Sequence, residues 1–228
     1  MHIMNDMKLF DKVFLTGCDA SHQWILPWFI SGYTAHNDIP LVFADFGVTV
    51  ACKKELLEMG IDHIIDMTHT SDKGWFKKPK SMIEASKIAD AVCWIDTDIE
   101  ILSSMKGAFV YVEPNRIAMS EDKPWTKRMG GGGTWYNSGV VAFEDCPQIL
   151  LNWAKEVETN PTRGDQETLH FMLSDPLSKR IHITDLPNEY NWLRLQLEHD
   201  NQDSVKKKAI HWTGNKGKDR IKGMIENG

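Results

Sequence analysis

Hydrophobic and polar positions keep two rhythms along the first hundred residues. Uninterrupted apolar runs, KVFLTG (12–17), IPLVFAD (39–45), IDHIIDM (61–67) and AVCWI (91–95), read as buried strands. Between them lie stretches with apolar residues at helical spacing. SHQWILPWFISGYTAH (21–36) has Ser21 as a cap candidate, VACKKELLEMG (50–60) stops at Gly60, and KPKSMIEASKIAD (78–90) carries Pro79 near its start. This alternation predicts an α/β fold: a Rossmann-like, mostly parallel central sheet with helices on both faces. Ligands in such folds sit beyond the carboxyl ends of the strands. Asp19, Asp45 and Asp96 each fall near such an end.

The second half is less regular. GAFVYVE (107–113) and YNSGVVAFE (136–144) read as strands. Between them, Gly130 to Gly133 read as a mobile loop that can close over a bound ligand. CPQILLNWAKEVE (146–158) and DQETLHFMLSD (165–175) read as helices, and KKKAIHWTG (206–214) as a last strand running into a turn. No repeat or linker divides the chain, so we expect one domain over residues 1–228.

Composition adds limits rather than detail. A net charge of −6 suggests no general affinity for nucleic acid or anionic membrane. Cys18, Cys52, Cys93 and Cys146 stand far apart, without zinc spacing, and are expected to be reduced. MHIMNDMKLF has no signal-peptide pattern, and no apolar run is long enough to span a bilayer. A cytoplasmic location is the expectation.

Chemistry concentrates where the fourth strand ends. In WIDTDIEIL, Asp96, Asp98 and Glu100 follow a buried run at alternate positions, where like charges repel. Asp96 and Asp98 can both reach one hard divalent cation, Mg²⁺ or Mn²⁺. A haloacid-dehalogenase-type phosphatase motif would need Thr or Val where Glu100 stands. A calcium EF-hand would need Gly where Ile101 stands. Two acids on one turn are poorly placed to flank a sugar as glycosidase carboxylates do. Asn137-Ser138-Gly139 offers amide groups and close backbone approach of a ligand, and Asp165-Gln166 opens a helix. His211, Gly214, Lys216 and Lys218 combine a possible metal ligand with phosphate-holding groups. Trp125 and Trp135, beside the glycine run, are candidates for stacking on sugar.

Taken in order, WIDTDIEIL, YNSGVVAFE, DQETLHFML, LPNEYNW and IHWTGNKGKD resemble the GT-A nucleotide-sugar glycosyltransferases, nearest the pattern of glycogenin and the bacterial lipopolysaccharide galactosyltransferases. FADFGVTVACKKELLEMG and KKPKSMIEA extend the resemblance across most of the chain. It implies a GT-A fold, with residues 1–100 as a nucleotide-binding half and 101–228 as an acceptor-side half. It implies a sugar moved from a nucleoside diphosphate, UDP favoured, to a glycan, glycolipid, glycoprotein or other hydroxyl acceptor, with retention of configuration. Asp96, Asp98 and His211 would hold the cation, Asp96 also meeting the ribose. Thr16 and Asp19 would lie by the base, Lys80 near the diphosphate, Asn137, Ser138 and Gly139 beside the donor sugar, and Asp165 and Gln166 near the sugar and acceptor. Gly214 and Lys218 would sit in the diphosphate-binding tail. The family's HxxGxxKPW tail is not kept: Gly217 occupies the lysine position, Lys216 and Lys218 flank it, and no Pro-Trp follows. A nucleotidyltransferase would need a glycine- and arginine-rich loop where TGCDASHQW stands. A non-catalytic sugar-nucleotide-binding module would not need the metal residues.

Overall fold

The computed structural model describes residues 8–70, 74–129, 133–161, 163–200 and 206–227. The first half follows the predicted rhythm: β1 (Phe10–Cys18), α1 (Leu26–His36), β2 (Leu41–Asp45), α2 (Val50–Glu58), β3 (Ile64–Asp66), α3 (Lys78–Ser86) and β4 (Ala89–Ile95). There follow β5 (Ile99–Ile101), β6 (Ile117–Glu121), α4 (Lys123–Met129), β7 (Tyr136–Glu144), α5 (Gln148–Thr159), α6 (Asp165–Met172), α7 (Pro176–His182) and β8 (Ile183–Asp185). The described chain ends with β9 (Trp192–Leu193), α8 (Arg194–Asp200), β10 (Ala209–His211) and α9 (Gly214–Asn227).

Seven strands form the main sheet in the order β3-β2-β1-β4-β7-β6-β8. β3, β2, β1 and β4 run parallel; β7 runs antiparallel to β4 and β6, and β8 is parallel to β6. Alternation along β1 sends Phe14 and Cys18 to a core with Phe29 and Tyr33 of α1 and Leu56 of α2. Val13 and Leu15 point the other way, toward Met82 of α3 and Trp153 of α5. Elements from both sides of residue 100 share this sheet, because β7 pairs with β4. A second sheet, β5-β10-β9, stands beside it.

Three expectations change. GAFVYVE is not a strand: Lys106–Tyr111 form a 3-10 helix. Its aromatic and β-branched residues favour a strand, but the helical turn packs Ala108 and Phe109 together into the core and leaves Val110 exposed. The strand follows as β6, IAMSE, which lacks a β-branched run. The turn after IHWTG opens α9 instead. Ser21 does not cap α1; a 3-10 turn over Gln23–Ile25 precedes that helix, and the Ser21 N–H and hydroxyl bond to Asp19. Gly130 to Gly132 of the expected closing loop lie outside the described residues.

Candidate active site

The turn between β4 and β5 carries Asp96 and Asp98 from the large sheet to the small one. Antiparallel pairing of β5 with β10 sets His211 opposite Ile99, beside that turn, and the Trp212 N–H donates to the Asp98 carbonyl at 3.0 Å. The register therefore brings together residues more than a hundred positions apart. His211 Nε2 lies 3.1 Å from Asp98 Oδ1 and 3.7 Å from Asp96 Oδ2. One ligand atom from each of the three residues falls within 4.8 Å of the others. Glu100, the third acid of the run, turns elsewhere and accepts from Trp212 Nε1 at 2.9 Å.

These acids have protein cations beside them. Lys78, at the start of α3, is buried and bridges Asp96 Oδ1 at 2.9 Å and Asp165 Oδ2 at 3.1 Å. Lys218 of α9 reaches Asp98 Oδ2 at 3.4 Å. Burial raises Asp96, overcoming the pull of Lys78 and His211. Burial also pushes Asp98 up, but His211 and then Lys218 outweigh it and bring the carboxyl down to about 2. For Lys78 burial opposes the charge, yet Asp165 and Asp96 more than offset it, so the ammonium stays protonated. His211 is raised in the same way, with Asp98 and Asp96 overcoming its burial.

The group fits a divalent cation by its donor set: two carboxylates and one ring nitrogen suit Mn²⁺ or Mg²⁺. Asp96 Oδ1 already accepts from Trp94 Nε1 at 2.6 Å and meets Lys78, which leaves Oδ2 turned toward His211.

A cleft of about 580 Å³ opens over this group at the carboxyl edge of the sheet. Asp19, Asp96, Asp98, Asn137, Ser138, Gly139, Asp165, Gln166, His211 and Lys218 line it. The antiparallel sense of β7 explains why its first residues, Asn137 to Gly139, arrive at the edge where β4 ends. Gly139 makes room for His211: a Cβ there would meet the ring Cε1 at 2.3 Å. Ser138 Oγ donates to Asp165 Oδ2 at 3.0 Å, and the Lys78 ammonium donates to Ser138.

Other sequence expectations need correction. Lys80 does not enter the cleft; it pairs with Glu158 of α5 at 3.1 Å. Two residues along a helix is a turn of about 200°, so Lys78 faces the acids and Lys80 faces away. Thr16 is buried within β1 on the Phe14 and Cys18 face and does not line the cleft. Asp45 is structural: Oδ1 accepts from the Gly47 and Val48 N–H groups at 2.8 Å each, and Lys53 pairs with the carboxylate. Gly214 begins α9 at φ 71°, outside the lining, and Lys216 is exposed, so Lys218 is the tail lysine in the cleft. Trp125 lines the cleft; Trp135 is buried against it, stacked at 5.9 Å, with His170 3.5 Å beyond.

Sequence reading missed Lys78, Asp122 and Asn191. Asp122 follows β6, which runs parallel to β4, so it stands at the same edge as Asp96. That signal was hidden because β6 itself was not legible. Asn191 lies in LPNEYNW and is fully buried, with Nδ2 donating to Asn137 Oδ1 at 2.9 Å.

No protein-family model matches the chain, and no curated protein matches it in sequence. Solved structures do resemble it. The galactosyltransferase LgtC with donor and acceptor sugar analogues matches at TM-score 0.64 and 13% identity, over 94% of this chain and 95% of that one. The apo glycosyltransferase GlyE of Streptococcus pneumoniae TIGR4 matches at TM-score 0.65 and 14% identity, over 90% of this chain and 55% of that one. Mouse xyloside xylosyltransferase 1 matches at TM-score 0.54 and 13% identity, over 90% of this chain and 97% of that one. These neighbours are GT-A glycosyltransferases, and the chain has their fold.

Proposed function

We propose that this chain is a metal-dependent glycosyltransferase that moves a sugar, a hexose by preference, from a nucleoside diphosphate to a hydroxyl acceptor on a glycan, glycolipid or glycoprotein. The observation that carries it is the Asp96, Asp98 and His211 group in the cleft of a GT-A fold, with Lys78 and Lys218 against its two acids. A cation held there supplies Lewis-acid stabilisation of a diphosphate leaving group. Lys218 adds fixed positive charge on the same side, where charge develops as the glycosidic bond breaks. Asp19, Ser138, Gly139 and Lys218 form the donor-binding wall in this reading. Asp165, oriented by Lys78 and Ser138, faces the positive character that grows on the sugar. The Gln166 Nε2 group donates one N–H to Asp122 at 3.1 Å and keeps the other for substrate. UDP as the nucleotide and retention of configuration are part of the proposal and follow the resemblance.

The test is thermal shift against UDP, GDP, ADP, CDP and TDP, each with and without Mn²⁺, on wild type and Asp98→Ala. A ligand that binds only the folded state raises the melting temperature. The expected result is a Mn²⁺-dependent rise for one nucleotide that the variant loses. No rise with any nucleotide overturns the reading. A rise without sugar turnover on the matching nucleotide sugars leaves a binding module instead. Among the described residues no helix is long and apolar enough to cross a membrane.

A further inference from the structure

The Asn137 amide has no hydrogen-bonding capacity left. Its Oδ1 accepts from the Gly139 N–H at 2.9 Å and from Asn191 Nδ2 at 2.9 Å, and lies 3.1 Å from His211 Nδ1. Its Nδ2 donates to Asp122 Oδ2 at 3.2 Å and to Gln166 Oε1 at 2.9 Å. Both N–H groups are used and the oxygen faces three donors.

The orientation of this amide is fixed by groups with one role each. A backbone N–H can only donate, so the atom facing Gly139 is the oxygen. The Ser138 N–H, 3.3 Å from Gln166 Oε1, fixes that atom as an oxygen, so the Asn137 atom facing it is the nitrogen. A flipped amide would set N–H against N–H at Gly139 and oxygen against oxygen at Gln166. Asn191 is fixed in turn: its nitrogen must face Asn137 Oδ1, which leaves its own Oδ1 3.1 Å from His211 Nδ1. The ring nitrogen Nδ1 therefore sees two acceptors and must carry a proton. Nε2 faces the Asp96 and Asp98 carboxylates, so a cation bound there takes the place of an Nε2 proton and meets a ring whose Nδ1 stays protonated.

We propose that Asn137, held by Asp122 and by the Gly139 backbone, is a positioning residue that sets the tautomer of His211 for cation binding, with Asn191 as its second support. This departs from the role beside the donor sugar that the resemblance implied for Asn137. It rests on the metal reading of the site. An outer partner of this kind orients a ligand ring and tunes its affinity for the ion.

Two readouts without substrate test it. Nitrogen NMR of the histidine rings, recorded without metal at alkaline pH in an Asp98→Ala background that removes the nearer acceptor from Nε2, should show His211 in the Nδ1–H form with Asn137 present and a mixture in Asn137→Ala. Free Mn²⁺, measured by electron paramagnetic resonance with no nucleotide present, should report affinity weakened about 10- to 100-fold in Asn137→Ala alone. Asn191→Ala, which removes one of two acceptors, should shift both readouts less and in the same direction. It serves as the test if Asn137→Ala does not fold. An Nε2–H ring with Asn137 present in the Asp98→Ala background, or unchanged Mn²⁺ affinity in a folded Asn137→Ala, overturns the proposal, since a residue that only contacts donor sugar leaves both unmoved. A wild type that takes up no Mn²⁺ overturns the metal reading; the ring spectrum then still decides whether Asn137 sets the tautomer.

Discussion

At the scale of single residues, buried charge decides the behaviour of the site. Lys78 holds two carboxylates from different elements. Lys78→Met keeps the side-chain volume and strands both. Removing one partner of a buried pair costs about 3–5 kcal/mol, so the urea midpoint should fall far more than for Lys80→Met on the outer face of the same helix. Sequence reading chose Lys80 because type and approximate place matched; only the phase of the helix separates the two, and that phase depends on where α3 packs. His170 gives a pH effect. Burial, helped by Lys179, lowers its ring from 6.5 to about 4, and it stacks on Trp135 with its Nδ1 unpartnered among the described residues. The unfolded chain then binds a proton between these values while the folded chain does not, so stability falls as pH drops from about 6.5 toward about 4. His170→Gln should flatten that part of the melting-temperature profile; a parallel profile in the variant would count against it.

At the scale of elements, α9 shows how local packing rewrites a motif. A Cβ on Gly217 would meet the Trp212 carbonyl oxygen at 1.9 Å, so the helix start cannot carry a side chain where the family places its lysine. The cation moves one position on, to Lys218, and still reaches Asp98. Gly217→Ala should force the helix away. Overpacking of this kind costs about 1–3 kcal/mol, read as a lower melting temperature together with loss of any rise given by Lys218-dependent ligands. The helix was not legible because Gly214 and Gly217 read as a turn, and its buried face is narrow, with Gly217 and Ile221 its buried residues. By contrast β1, β2 and β4 were legible, because continuous apolar runs of that length fit a strand buried on both faces.

At the scale of the whole molecule, the carboxyl edge of the sheet was readable from the alternation of strand and helix, and so was the acid pair at its centre. The antiparallel return of β7 and β6 and the small sheet that delivers His211 were not, since three-residue strands such as β5 and β10 carry almost no pattern of their own. One sheet joins both halves, so the chain should unfold in one step with equal calorimetric and van't Hoff enthalpies. A fragment of residues 1–100 loses β7 and leaves the edge of β4 unpaired, and it should stay unfolded by circular dichroism. A folded fragment would mean that the two halves are separate domains.

The contact between Trp94 and Asp96 has an optical consequence. The indole N–H is bonded to a carboxylate that faces the cleft, and the Lys78 ammonium stands 5.6 Å from the ring. Indole emission responds to charge at that distance, so the protein carries its own reporter dye one bond from the site. Eight other tryptophans dilute the signal, but the difference between wild type and Trp94→Phe isolates it. Whatever settles on Asp96 should change the colour of that difference spectrum before any product is made.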